Sequence, residues 1–310
     1  MGVTLRCVIP AGLWRESIAA KRRTVQLSGA KRVYFRFFVD QDKSLMPTLL
    51  PLVLVADELA RFRAANPLVH LLTNEVVQEI TANVLLAAGA APAMIVAEEE
   101  VTPFAAMSGA LLINVGTLYP ARLAAMRQAI ASANAAGVPW TLDPVAVGVL
   151  EYRTSACREF LAAGPAAIRG NASEILALAG FAGSGRGVDT TTGSGAAVEA
   201  AEQLARSTGA VVAVTGETDF ITDGVTTWAA PWGHPVMTRV VGTGCALSAL
   251  VAAFTAQATN RLNAVAAACA IAGLCGARAA AECQGPGSFK AAFLDGLYQL
   301  TPETLRELDK

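Results

Sequence analysis

From about residue 66 onward, short runs of apolar residues alternate with longer stretches of helical periodicity. That alternation constrains the chain more than any other feature. Strands separated by whole helices have one common solution, the βαβ unit with parallel strands. Pro67–Leu72 reads as the first strand, followed by a helix over Glu75–Ala88 that stops at Gly89. Strands over Ala93–Ala97 and Ala110–Val115 come next, the second ending at Gly116. A helix is predicted over Pro120–Ala136, with proline in its first turn and Gly137 just past its end. Pro139–Leu142 and Ala166–Ile168 read as strands, and Asn171–Ala179 as a short helix. Asn171 can cap that helix, and Glu174 follows at capping-box spacing. A helix over Ala196–Thr208 leads to a strand over Ala210–Val214. Phe220–Trp228 then reads as a hairpin turning at Asp223-Gly224. The chain from Gly244 to Leu300 is mostly helical, with breaks at Asn260 and at Gly285-Pro286-Gly287.

The predicted strands are uniformly apolar, as strands covered on both faces must be. The expected fold is therefore α/β, with a mainly parallel central sheet and helices on both sides. With 54% hydrophobic and 16% charged residues in 310, the chain can fill a large core, which excludes intrinsic disorder. No repeat or linker interrupts residues 46–310, which are expected to form one domain. Residues 1–45 differ: their charge pattern is irregular and they lack a period. They are expected to lie outside the fold, as would follow from a start site placed too far upstream of Met46.

Several classes of function fit poorly. The formal net charge is -1 and basic residues form no stripe, which argues against nucleic-acid binding. The denser basic stretch from Arg15 to Lys31 reads as a surface tail. Six cysteines without a C-x-x-C pair, and two histidines, His70 and His234, argue against a structural zinc. Scattered cysteines suit a reducing cytosol, and a cytoplasmic location is expected. The apolar stretch Leu49–Ala56 is too short to span a bilayer. The apolar runs near 241–257 and 263–280 are interrupted by small and polar residues, and read as buried helices rather than membrane spans.

The strongest local signal is Gly242-Thr243-Gly244-Cys245, which opens an apolar helix. Such a turn aims unpaired N–H groups and the positive end of the helix dipole at one point, suiting phosphate or the charge that grows during its transfer. In the first helical turn, the thiol of Cys245 is expected to have a lowered pKa and to be able to accept a proton. A tight turn with a buried core cysteine is the competing reading. No G-x-x-x-x-G-K-[ST] loop is present, and no G-x-G-x-x-G follows the first strand. Gly183-Ser184-Gly185-Arg186-Gly187 reads either as a loop near a nucleotide or as plain surface. Asp143 ends one predicted strand, where ligands bind in open α/β sheets, and can hold Mg²⁺ through water. Arg169 follows the next strand and can grip phosphate oxygens in bidentate fashion. Asn171 stands beside it as a further candidate on the nucleotide side, and Glu174 is either a metal-side carboxylate or only a cap. Thr215-Gly216-Glu217 closes a third strand at the same edge. Three polar strand ends at one edge point to a single cleft. Asn74, after the first strand, and Met94, within the 93–97 strand, can line a pocket for an organic acceptor.

In their order and spacing, these segments resemble hydroxyethylthiazole kinase. The motifs are Pro67-Leu68-Val69-His70, Thr73-Asn74, Thr81-Ala82-Asn83, Asn114-Val115-Gly116-Thr117, Leu142-Asp143-Pro144-Val145, the 168–175 stretch, Val214-Thr215-Gly216-Glu217 and Val241-Gly242-Thr243-Gly244-Cys245. The likeness spans about residues 47 to 305. It implies a ribokinase-like fold and a homotrimer with active sites between subunits. It also implies transfer of phosphate from ATP, with Mg²⁺, to 4-methyl-5-(2-hydroxyethyl)thiazole for thiamine biosynthesis and salvage. By the same resemblance Met94 and Gly242 contact the thiazole, Arg169 and Thr215 contact ATP, and Asp143 and Glu174 serve the Mg²⁺–phosphate side. Cys245 takes the position of the aspartate that is catalytic in most ribokinase-like enzymes. The nearest rivals are kinases for hydroxymethylpyrimidine or pyridoxal, a ribokinase-like NAD(P)H-hydrate dehydratase, and a non-catalytic thiazole-binding protein. The dehydratase would be expected to carry Asp where Cys245 stands.

Overall fold

The computed structural model describes residues 47–182 and 194–309, together with the strand segments β1 (Arg22–Gln26) and β2 (Arg32–Arg36). These two segments pair antiparallel as a sheet of their own. Most of the 1–45 stretch and the glycine-rich 183–187 loop lie outside the described residues.

The chain then enters β3 (Thr48–Leu49), α1 (Leu52–Ala65), β4 (Leu68–Leu72), α2 (Gln78–Ala88), β5 (Ala91–Ala93), α3 (Glu98–Met107), β6 (Ala110–Asn114) and α4 (Pro120–Ala136). It continues through β7 (Trp140–Asp143), α5 (Glu151–Ala162), β8 (Ala167–Asn171), α6 (Ala172–Ala182), α7 (Ser194–Thr208) and β9 (Val211–Thr215). The hairpin β10 (Asp219–Thr222) and β11 (Thr227–Ala230) precedes α8 (Thr243–Thr255), α9 (Arg261–Glu282), α10 (Pro286–Gln299) and α11 (Pro302–Leu308). Nine strands form one sheet in the order β3-β11-β10-β9-β8-β7-β6-β4-β5. The run from β5 to β9 is wholly parallel, and β10 is antiparallel to both of its neighbours.

Successive side chains of a strand point to opposite faces, and here both faces are buried. Ala110 and Leu112 of β6 join one core with α1, α2, α8, α9 and α10, while Leu111 and Ile113 join a second core with α3 to α7. Small residues let the first core close tightly. An added Cβ at Gly276 of α9 would come within 2.6 Å of Met237 Sδ, so the segment leading to the Gly242 turn lies directly on that helix. Helix α9 is long and apolar enough by composition to cross a membrane, but most of it is buried in this core. At the far ends of helices whose N-termini face the site, two arginines satisfy free carbonyls. Arg61 donates to Phe254 and Ala256 at the end of α8, and Arg63 to Ala88 at the end of α2 as well as to Leu297 and Leu300.

Two expectations are corrected. The strand expected over Ala93–Ala97 is Ala91–Ala93, so Met94 lies just past its end. β5 is the edge strand of the sheet, where Pro92 costs no ladder bond. Helices α3 and α5 were not anticipated, since α3 opens on three glutamates and contains Pro103, and α5 has a polar composition.

Candidate active site

The polar residues that end β6, β7, β8 and β9, and those that follow β4, gather at the C-terminal edge of the parallel sheet, opposite the start of α8. Asn114 pairs in register with Asp143, and Asn171 with Thr215. The convergence expected from the sequence is therefore present in the backbone before any side chain is considered.

The glycine turn closes the edge. Gly242 has φ +88°, the left-handed region, and an added Cβ would meet Ile80 Cγ2 at 2.6 Å. The turn is thus pressed onto α2. No side chain among the described residues caps α8, and its first intrahelical bond runs from Ala246 N–H to the Gly242 carbonyl at 2.8 Å. Thr243 turns its hydroxyl back onto the Met237 carbonyl at 2.9 Å, so it does not cap the helix that it opens. At Gly244 an added Cβ would sit 2.8 Å from Arg169 Nη1, so the guanidinium lies flat against the turn. Arg169 also donates to the Thr215 hydroxyl, and its buried Nε has no partner among the described residues. Arg169, Thr215, Gly242, Gly244 and Cys245 are therefore brought together.

Asp143 is almost wholly buried, at 1% exposure. Burial pushes its carboxyl up to about 6, with nearby Arg169 and hydrogen bonds from Ser248 and Asn114 pulling the other way and Glu174 adding to the rise. Asn114 Nδ2 donates to Asp143 Oδ2 at 2.6 Å. Asn114 Oδ1 accepts from Asn74 Nδ2 at 3.1 Å, and the same Asn74 amide donates to Cys245 Sγ at 3.4 Å. One buried chain thus links the thiol to the carboxylate. Met94 packs half-buried at the margin of the first core, as does Cys245.

One expectation about an individual side chain changes. The Cys245 thiol is not lowered: burial and the neighbouring Asp143 push it up to about 11, against hydrogen bonds from Asn114 and Asn74 and the charge of Arg169. It is a protonated thiol at neutral pH. Asn171 spends Oδ1 on capping α6, accepting from Glu174 N–H at 3.0 Å and the Ser173 hydroxyl at 2.7 Å. Glu174 completes the box by accepting Asn171 N–H at 2.9 Å on one oxygen, and it accepts Ala146 N–H at 3.1 Å on the other. It clamps the loop after β7 to the start of α6 while facing Asp143. Both readings of Glu174 remain compatible, because each carboxylate oxygen has a second lone pair.

The donor set fits magnesium. Among the described residues no cluster of three or more His, Cys, Asp or Glu forms a protein cage. Mg²⁺ takes one or two carboxylates and leaves its other positions to water and phosphate oxygens, which matches Asp143 and Glu174.

Sequence reasoning passed over three supporting residues. Arg122 of α4, 4% exposed, donates to the Thr73 carbonyl and pairs with Glu75 at 3.6 Å, holding the turn that carries Asn74. Asp219 accepts Gly216 N–H at 2.9 Å and fixes the turn after Thr215. Asn114 gave a signal, a polar residue ending an otherwise apolar strand, whereas an arginine within a helix gives none.

This is a ribokinase-like fold. A ribokinase-like superfamily protein from Enterococcus faecalis shares the fold, with a TM-score of 0.60 at 13% identity over 86% of this chain and 99% of that chain. The chain belongs to the hydroxyethylthiazole kinase family, whose model matches residues 59–303. It is 58% identical over 264 residues to a hydroxyethylthiazole kinase from Tolumonas auensis, covering 84% of this chain and 99% of the relative. The structure of a hydroxyethylthiazole kinase from Pyrococcus horikoshii superposes with a TM-score of 0.76 at 38% identity, over 81% of this chain and 95% of that one. The protein is thus an enzyme, a phosphotransferase with an alcohol group as acceptor.

Proposed function

We propose that this enzyme moves the γ-phosphate of ATP onto the hydroxyl of 4-methyl-5-(2-hydroxyethyl)thiazole, serving thiamine biosynthesis and salvage. The observation that carries the reading is the continuous polar edge. Asn74 and Cys245 stand at one end of a buried hydrogen-bond chain and Asp143 at the other, facing Arg169 and the glycine turn.

In this reading Arg169 and Thr215 bind the nucleotide, with Asn171 at the margin through its free amide. Asp143 and Glu174 would hold Mg²⁺, which when bound would neutralise charge on the phosphates. Asn74, Gly242 and Met94 seat the thiazole. The N–H groups of Thr243, Gly244 and Cys245 face the charge that grows on the transferred group. Phosphoryl transfer passes through a loose transition state, so alignment and electrostatics supply most of the rate and a strong base is not required. That suits a thiol held at about 11: Cys245 orients the acceptor hydroxyl rather than taking its proton outright. Residues 46–310 act as one kinase domain with residues 1–45 as an extension outside it. The working form is a cytoplasmic homotrimer with active sites between subunits.

The test is an acceptor comparison with ATP and Mg²⁺. Hydroxyethylthiazole is expected to release ADP, with hydroxymethylpyrimidine and pyridoxal far slower. Preference for either of those two, or no ADP release with any acceptor, contradicts the assignment.

A further inference from the structure

Asn114 is fully buried at the end of β6, in a strand whose other residues are all apolar. A buried amide in such a place costs stability unless its arms are engaged. Here both ends are. Oδ1 accepts Gly116 N–H at 2.9 Å and Asn74 Nδ2 at 3.1 Å, and Nδ2 donates to Asp143 Oδ2 at 2.6 Å. A backbone N–H can only point at the oxygen, so the amide has one orientation: oxygen toward Asn74, nitrogen toward Asp143. Asn74 has little freedom either, because an added Cβ at Gly116 would lie 2.7 Å from its own Cβ. Asn114 lies between Asn74, which touches Cys245, and Asp143. In the proposed function, Asn74 and Cys245 serve the acceptor and Asp143 the metal.

We propose that Asn114 is a positioning residue for phosphoryl transfer, a single side chain that sets Asp143 and Asn74 in register and so couples the metal side of the cleft to the acceptor side. This rests on the kinase reading above. It follows that damage at either end of the link is felt at the other. Charge-assisted donation to a carboxylate is among the stronger hydrogen bonds and fixes which way the carboxylate faces.

Asn114→Asp separates the two arms. It keeps an oxygen toward Gly116 and Asn74 but removes the donor toward Asp143. We would measure kcat, the KM for hydroxyethylthiazole and the half-saturating Mg²⁺ concentration. Without turnover, ADP binding would be followed by calorimetry with and without Mg²⁺. Asn114→Asp is expected to lower kcat by about tenfold or more and to raise half-saturating Mg²⁺ in both turnover and ADP binding. Metal-free ADP binding, which depends on the Arg169 side, is expected to stay at its wild-type value. Asn114→Ala, which removes both arms, is expected to raise the KM for the alcohol as well. Wild-type kcat and metal dependence in Asn114→Asp overturn the proposal, as does an equal weakening of metal-free ADP binding, which is what a merely structural role gives. Should Asn114→Asp fail to fold, Asn74→Ala reads the link from its other end. Its half-saturating Mg²⁺ must rise although Asn74 does not touch Asp143, and an unchanged value overturns the coupling. A wild-type protein that phosphorylates no thiazole sinks the underlying reading, whereas an active wild type with an unaffected Asn114→Asp sinks the role of Asn114 alone.

Discussion

At the scale of single residues, the site is governed by burial of charge. Asp143 holds its proton up to about pH 6, above the ordinary 3.8 of an aspartate. Below about 6 the free enzyme carries a neutral carboxyl there, unable to face a cation. We expect kcat/KM to fall as pH drops through about 6, measured with saturating Mg²⁺; a profile flat down to pH 5 would contradict it. Stability runs the other way. The folded state keeps this proton more tightly than the unfolded chain, so stability contributed by Asp143 rises as pH falls from above 6 toward 4. Asp143→Asn removes the buried charge. It is expected to abolish most turnover yet raise the Tm by a few degrees at pH 8, with the gain shrinking toward pH 5. Burial likewise raises Cys245, whose thiol stays protonated at neutral pH and is no ready base. Cys245→Asp should keep its activity or raise it. Complete loss in a folded variant would mean that the sulfur packs against the acceptor instead of orienting its hydroxyl.

At the scale of elements, the two glycines of the turn before α8 differ in what they leave room for. Gly242 needs a positive φ and meets α2, whereas Gly244 leaves room for the guanidinium of Arg169. Gly242→Ala is expected to cost about 1–3 kcal/mol of stability, read as a lower Tm. Gly244→Ala is expected to keep its Tm within a few degrees and to lower kcat by about tenfold, because Arg169 must move. Equal effects on both properties in both variants would contradict this division. The turn itself was legible in the sequence, as were β4, β6, β7, β9 and the hairpin, because apolar runs bounded by glycine and proline survive any tertiary context. The strand after α2 was displaced because Pro92 reads as a breaker, and only its edge position makes it harmless. Helix α3 was hidden by Pro103, and α5 by its weak apolar face. Within the site, residue types at strand ends announced Asp143, Arg169 and Thr215. The raised thiol of Cys245 and the support given by Arg122 depend on packing between elements distant in sequence, which no local pattern encodes, whereas the cap at Asn171 was legible from its spacing to Glu174.

At the scale of the whole molecule, one sheet edge gathers five strand ends and one helix start. The opposite pole is fixed by Arg61 and Arg63 on helix carbonyls. The apolar side chains of Val76 and Val241, close in sequence to Asn74 and Gly242, are exposed, and the proposed trimer would cover them with a second copy. Light scattering is expected to give three times the 32.0 kDa chain mass; a monomer with full activity would contradict a site shared between subunits.

This edge is expected to align ATP with the alcohol of hydroxyethylthiazole through Arg169. Mass spectrometry of the thiazole after incubation with ATP, with and without Mg²⁺, tests it for the wild type and Arg169→Ala side by side. A product heavier by one phosphoryl group is expected only with Mg²⁺, formed at least about tenfold more slowly by Arg169→Ala. A thiazole of unchanged mass, or an Arg169→Ala enzyme as fast as the wild type, would contradict it.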